Sequence, residues 1–299
     1  MKRDDMAAFL ERLGHRVVAG PSCHWYDMRP RFYLAFPHSV PVAPPADELR
    51  AVFAATRAIG LRHVAPVDGP GRASYALMVD DRAYDLDQLS GNTRSKIRRG
   101  LKHCEIRRVD ASFVRARGRA ANDETLVRLR FEKDYYPWDR YWDAIAATPE
   151  VEVWGALREG DLAAYIVVVP VEGCAEILVA RSKTEELRHY PNNALVFTAV
   201  RDLIRRDDVD RVLFGLESLD MVEGVDQFKE SMGFRRVPIR QRIQFSPTAD
   251  RLLRLPMVKS IAASFARRRP DSEFWRKVQG LLTFHESPAR AREESTWTS

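Results

Sequence analysis

The run from Cys174 to Phe234 constrains the fold most. Its order of apolar segments admits few topologies. Ala175-Glu176-Ile177-Leu178-Val179-Ala180 is rich in branched residues and reads as a buried strand. After a turn at Glu186–Asn193, residues Leu195, Val196, Ala199, Val200, Leu203 and Ile204 recur at helical spacing. Arg211–Leu216 is a second buried strand, and Val225–Met232 a short helix stopped by Gly233 before Phe234. Strand, helix, strand in this order predicts a crossover between parallel strands. Asn192 and Asn193 read as helix caps, with Pro191 just ahead of them. Open sheets bind ligands at strand ends, and a helix N-terminus there offers free N–H groups to a phosphate. The turn at His189–Ala194 is therefore a candidate anion cradle; an ordinary crossover helix remains the plain alternative.

Upstream, Asp5–Leu13 predicts a helix ended by Gly14, and Arg16–Val18 a small strand. The aromatic and proline-rich Pro21–Pro45 suits extended edge segments. Asp47 is expected to cap a helix with Leu49, Val52, Phe53 and Ile59 inward and Gly60 at its end, followed by a strand at Ser74–Val79. Ala120–Tyr136 and Pro137–Ala147 read as helices. Val151–Leu157 and Leu162–Pro170 read as strands joined by a hairpin turn in which Gly160 supplies positive φ. Three antiparallel strands thus meet the crossover unit in a mixed sheet. Arg235–Val237 and Arg240–Phe245 read as a closing strand pair.

Charge adds a second theme. The 299 residues carry 48 Lys and Arg against 42 Asp and Glu, a formal net charge of +6, which tilts expectation towards phosphate-bearing partners. The cations are concentrated at Asn92–His103, where Arg94, Lys96, Arg98, Arg99 and Lys102 surround an apolar stripe of only Ile97 and Leu101. Arg107 and Arg108 follow on a predicted strand. The face from Arg94 to Arg108 reads either as a solvated surface or as a phosphate-contacting one, since arginine offers forked donors. From Asp250 onward the chain reads as a basic helical tail, suited to packing on its own domain or to a partner or peripheral membrane contact. The three cysteines are far apart and the seven histidines lack ligand spacing, so neither a disulfide framework nor a metal site is expected. Met1–Leu10 lacks a signal-peptide core, and Leu162–Val171 is too short for a transmembrane segment. These features predict a soluble, cytoplasmic protein.

The order of elements, ending in Asp226-Gln227-Phe228-Lys229-Glu230-Ser231-Met232-Gly233-Phe234, resembles the GNAT acyltransferase superfamily. Leu89–Lys102 and the Phe228-Lys229 pair resemble its FemAB-like branch, whose members carry two GNAT-like halves. The resemblance covers Ala120–Phe245 well and the first hundred residues loosely. It implies an α/β (α+β) fold: a GNAT-like mixed sheet flanked by helices, with room for two such halves. Residues 1–110 would form an N-terminal half or accessory domain, 111–247 the acyltransferase domain and 248–299 the tail.

The implied function is an N-acyltransferase that moves an acyl group from acyl-CoA (acetyl-CoA), the co-substrate, to a small-molecule or peptide amine acceptor. Two alternatives are a FemAB-like aminoacyl or peptidyl transferase using aminoacyl-tRNA, whose RNA phosphates would meet the face from Arg94 to Arg108, and a degenerate, non-catalytic binding module. By resemblance, His189-x-x-Asn192-x-Ala194 stands where the family's acyl-CoA cradle lies, with Asn192, Asn193 and Ala194 lining it. A backbone N–H from Val179, Ala180 or Arg181 would stabilise the oxyanion. Glu217 and Asp220 are the nearest candidate bases, with His189 at the turn and Tyr190 as a stand-in for the family's proton-donating tyrosine. On this reading Ala194→Glu blocks the ligand while leaving stability nearly intact.

Overall fold

The computed structural model describes residues 1–28, 31–130, 135–217 and 225–255, with residues 257, 264 and 268. In chain order the elements are α1 (Arg3–Leu13), β1 (Val17–Ala19), β2 (His24–Asp27), β3 (Phe32–Phe36), α2 (Ala46–Thr56), β4 (Gly60–Ala65), β5 (Arg72–Val79), α3 (Gly91–His103), β6 (Glu105–Arg108) and α4 (Ala111–Arg117). There follow α5 (Arg119–Arg128), α6 (Trp138–Ala146), β7 (Glu152–Arg158), β8 (Asp161–Val171), β9 (Cys174–Ser182), α7 (Pro191–Ile204), β10 (Arg211–Leu216), α8 (Val225–Ser231), β11 (Arg235–Phe245) and α9 (Pro247–Leu253). They form two compact units. One comprises Met1–His15 with Ala76–Val237, the other Arg16–Tyr75 with the described residues from Pro238 on. The units interleave in sequence, unlike the three consecutive pieces read from chain order, because α1 folds onto α6. Arg12 donates to Thr148 Oγ1 at 2.9 Å, and Arg140 donates to the Arg12 carbonyl at 2.9 Å.

In the first unit β7, β8 and β9 form an antiparallel meander, extended by β6 beside β7. Both hairpins turn through left-handed residue pairs, Glu159 (φ 53°) with Gly160 (φ 80°) and Glu172 (φ 45°) with Gly173 (φ 77°). That geometry matches the twist of the flanking strands. β8 is buried from Leu162 to Val169, so its unbroken apolar run belongs to a strand covered on both faces. Among the described residues no helix is long and apolar enough to cross a membrane. β10 lies parallel to β9, and α7 makes the crossover. Nearly all of α7 is buried, including Leu195, Val196, Phe197, Ala199, Val200, Leu203 and Ile204. The fold is the mixed α/β arrangement expected.

The second unit pairs β1–β2–β3 antiparallel, β3 with β4 parallel, and β4 antiparallel with β11 through Gly60–Ala65 and Arg240–Phe245. Its core gathers Cys23, Trp25, Tyr33, Ala35, Leu49, Val52, Ala58 and Leu61.

Several local expectations are corrected. Asp47 sits inside the first turn of α2, which starts after Pro45 and ends where Arg57 turns left-handed (φ 54°). Gly60 opens β4, a strand hidden because Ile59 continued the helical spacing. The helix read over Ala120–Tyr136 is α5, which starts at Arg119 and already ends at Arg128, with α4 a separate helix before Gly118; Tyr135 and Tyr136 are not helical and residues 131–134 lie outside the described set. β11 runs unbroken through Pro238, which is exposed. On α3 the buried face is Thr93, Ile97 and Gly100, whereas Leu101 is exposed. The basic tail beyond α9 lies almost wholly outside the described residues.

Candidate functional site

The site is built where the two parallel strands part. β9 and β10 pair at Cys174↔Arg211, Ala175↔Val212 and Glu176↔Leu213. β9 then continues to Ser182 and β10 to Leu216 with no further pairing between them among the described residues. Along this stretch β9 keeps its ladder with β8, through Val179↔Val167, Ala180↔Ile166 and Arg181↔Tyr165. The opposite edge of β9 therefore faces an opened slot. Gly215 takes φ 104° as β10 turns away, and β10 bulges against β5 between Leu213 and Leu216. Val179, Ala180 and Arg181 are half-buried there. Arg181 does not reach into the slot for a ligand: its Nε donates to Asn122 Oδ1 at 3.0 Å and its Nη1 to the Ala180 carbonyl.

At the C-terminal end of β9 the chain makes a short 3-10 turn, Glu185–His189, and enters α7. The residue that turns left-handed is Tyr190 (φ 57°, ψ 41°), which is the N-cap. Pro191 is the first helical residue and Asn192 and Asn193 follow inside the helix. The expected capping by the asparagines is thereby corrected. Proline fits the first helical position, where its missing N–H has no partner to lose. Asn192 Nδ2 donates to Ser182 Oγ at 3.0 Å, and Asn193, buried, donates to Met232 Sδ at 3.4 Å. Ala194 is fully buried and its N–H already bonds the Tyr190 carbonyl at 3.3 Å. Only the amides of Asn192 and Asn193 are left without a helical acceptor. Ala194 thus packs the crossover helix and is not a bare rim of a cradle.

What it packs against is α3. A Cβ on Gly100 would lie 2.6 Å from the Tyr190 carbonyl oxygen and 2.7 Å from Ala194 Cβ, so glycine is required for the two helices to approach. This contact delivers the basic helix to the turn. Arg99 lies over the Tyr190 ring at 4.9 Å and Lys96 at 6.0 Å. The His103 and His189 rings pack at a tilt of 57°, centroids 4.8 Å apart. His189 faces Arg188 Nε at 3.1 Å. Partial burial, then the charges of Arg158, Arg188 and His103, hold its pKa below the ordinary value, which favours the neutral ring.

None of Arg94, Lys96, Arg98, Arg99 and Lys102 meets a carboxylate among the described residues. Other arginines do: Arg115 pairs with Asp139 and Asp143, Arg158 with Glu186, and Arg206 with Glu152 and Asp202.

Glu217 follows β10 directly and is half-buried, at the same C-terminal end of the parallel pair as His189 and Tyr190. Asp220 lies outside the described residues. Lys229 of α8, assigned no role from sequence, comes over the Phe214 ring at 5.4 Å and pairs with Asp226 at 3.1 Å. Its place within the Phe228-Lys229 pair was the available signal. An arginine that sequence reading passed over also supports the site: Arg128 Nη2 donates to the Ser182 carbonyl, Ser182 Oγ and Thr125 Oγ1 at 2.8, 2.9 and 2.9 Å. Together with Asn192 it ties α5 and α7 to the end of β9.

The fold is shared with solved structures. FemX superposes with a TM-score of 0.56 at 12% identity, covering 79% of this chain and 90% of that one. L-PGS from Bacillus licheniformis gives 0.56 at 14%, covering 86% and 94%. The C-terminal domain of an assigned lysylphosphatidylglycerol synthetase from Agrobacterium fabrum gives 0.56 at 15%, covering 86% and 91%. The fold is GNAT-like, and these structures share it. No protein-family model and no curated protein matches the sequence. In this chain the parted strands, the turn at Tyr190 and the basic α3 occupy one end of the sheet.

Proposed function

We propose that this protein is a transferase that moves an aminoacyl group from aminoacyl-tRNA to an amine acceptor. The observation that carries the reading is α3: a helix of cations without carboxylate partners among the described residues, held by Gly100 against Tyr190 beyond the end of β9. Lys96, Arg99 and Lys102 would hold RNA phosphates, leaving the esterified end of the donor at the slot between β9 and β10. Likeness of fold to FemX and to proteins named for lysylphosphatidylglycerol supports it.

The chemistry follows. A neutral amine attacks the ester carbonyl, forming the C–N bond. A backbone N–H of Val179, Ala180 or Arg181 receives the developing oxyanion. The C–O bond to the ribose then breaks and the sugar oxygen takes a proton. Glu217 is the proposed base for the amine proton, and Tyr190, beside the cations of α3, the proposed donor to the leaving oxygen. His189 shapes the turn: its Nε2 accepts from Arg188, which leaves Nδ1–H as a donor.

Acyl-CoA as donor is the second reading. The parted strands favour it, and the amides of Asn192 and Asn193 are the groups left to bind its pyrophosphate. The packing of Ala194 against Gly100 weighs against a roomy cradle there. A panel of labelled aminoacyl-tRNAs offered with small amines tests the proposal. Protein-dependent loss of label from tRNA is expected, with Glu217→Gln slowing it about 100-fold or more. No acceleration by the wild-type protein, together with thiol release from acetyl-CoA, would move the assignment to the second reading.

A further inference from the structure

The two edges of α3 face different things. Lys96, Arg99 and His103 border the turn at His189–Tyr190, whereas Arg94 and Arg98 border an open cleft of about 470 Å³ that they share with Asp85, Leu86 and Asp87. The volume suits a small molecule. Four of its five lining residues are charged, which excludes an apolar guest.

The charges in it are unequally engaged. Asp85 is held: its carboxylate accepts from Arg205 at 2.8 Å and from the Leu86 amide at 2.7 Å, with Arg201 at 3.8 Å. These bonds hold its pKa below the ordinary carboxylate range, the Leu86 amide first. Arg94 spends one N–H on the Leu89 carbonyl at 3.1 Å. Arg98 and Asp87 have no partner among the described residues. Arg94 and Arg98 are four residues apart on α3, so the guanidinium groups rise side by side on one edge. Adjacent like charges in the N-terminal half of a helix oppose both each other and the helix dipole. An anion between them removes both penalties. The unpartnered Asp87 across the cleft supplies an acceptor for a hydroxyl of the same ligand.

We propose that this cleft binds a small phosphorylated polyol of the sugar-phosphate class. Its phosphate lies between Arg94 and Arg98 and a hydroxyl donates to Asp87. The site is separate from the transfer reaction and does not depend on it.

Titration calorimetry on the full chain with ribose 5-phosphate, inorganic phosphate and ribose as probes decides it. Ribose 5-phosphate should bind once per chain, about tenfold more tightly than phosphate, with ribose weaker still. Arg98→Ala, an exposed position whose loss should leave the circular dichroism unchanged, should weaken ribose 5-phosphate about tenfold or more. Asp87→Asn should reduce the preference for ribose 5-phosphate over phosphate and leave phosphate binding in place. Lys96→Glu and Arg99→Glu, on the other edge of α3, should leave ribose 5-phosphate binding unchanged whether or not tRNA binds. Equal affinity in wild type and Arg98→Ala would overturn the proposal, as would no heat from either phosphate at about 10 mM. Displacement of ribose 5-phosphate by a short RNA at equal concentration would also overturn it, by making the cleft part of an RNA surface.

Discussion

His63 in β4 has only 1% of its surface exposed, and neither ring nitrogen finds a hydrogen-bond partner among the described residues. It packs edge-on against Trp25. Burial, and then the positive charge of Arg242 on the paired strand, push its pKa from 6.5 down to about 4. The unfolded chain therefore takes up this proton before the folded one does. The stability is fully present above pH 6.5 and is lost as pH falls towards 4, in all about 3 kcal/mol. Urea titrations between pH 7 and 4 should show that loss, and His63→Leu should flatten it. An unchanged pH dependence in the variant would place the acid sensitivity elsewhere. Gly100 makes the other residue-scale prediction. Gly100→Ala drives a methyl into Tyr190 and Ala194 and should cost about 1–3 kcal/mol in urea denaturation. For the same reason Ala194→Glu is a destabilising change, contrary to the expectation drawn from its place in a helix's first turn. A wild-type midpoint for Gly100→Ala would mean that α3 and α7 sit further apart.

The elements best read from sequence are those whose burial leaves a periodic trace. β9, α7 and β10 were legible because Ile177, Leu195, Ala199, Val200 and Leu213 are buried at the periods of strand and helix. The hairpins were legible through Gly160 and Gly173. β4 was not: Ile59 keeps the helical spacing of Leu49, Val52 and Phe53, so the helix was carried to Gly60, whereas the left-handed Arg57 ends it and Gly60 opens the strand. The site was legible in its parts and not in its assembly. The turn at His189–Ala194 and the basic run at Arg94–Lys102 were each visible. That Gly100 brings them together depends on a helix contact spanning about ninety residues, which no local pattern reports. α8 is anchored in a similarly non-local way. Tyr84 donates its hydroxyl to the Met232 carbonyl at 2.7 Å, just ahead of the left-handed Gly233. Burial and the neighbouring Asp85 raise the Tyr84 pKa, so it remains a donor at neutral pH. Tyr84→Phe should cost about 1–2 kcal/mol, since a buried carbonyl loses its partner. No change in the unfolding midpoint would show that another donor takes over.

At the scale of the whole molecule, the account joins a GNAT-like fold to a helix whose cations are not neutralised within the described chain. Charges kept this way lower stability by mutual repulsion, and a polyanionic donor offsets that cost by releasing its counterions on binding. The most direct measurement is tRNA affinity by fluorescence anisotropy across a salt series, for wild type and for a Lys96→Glu, Arg99→Glu double variant. The account predicts a log–log plot that falls steeply with salt for wild type. The double variant should bind at least about tenfold more weakly, with a slope shallower by about two. Equal affinity and equal slope in the two proteins would contradict it.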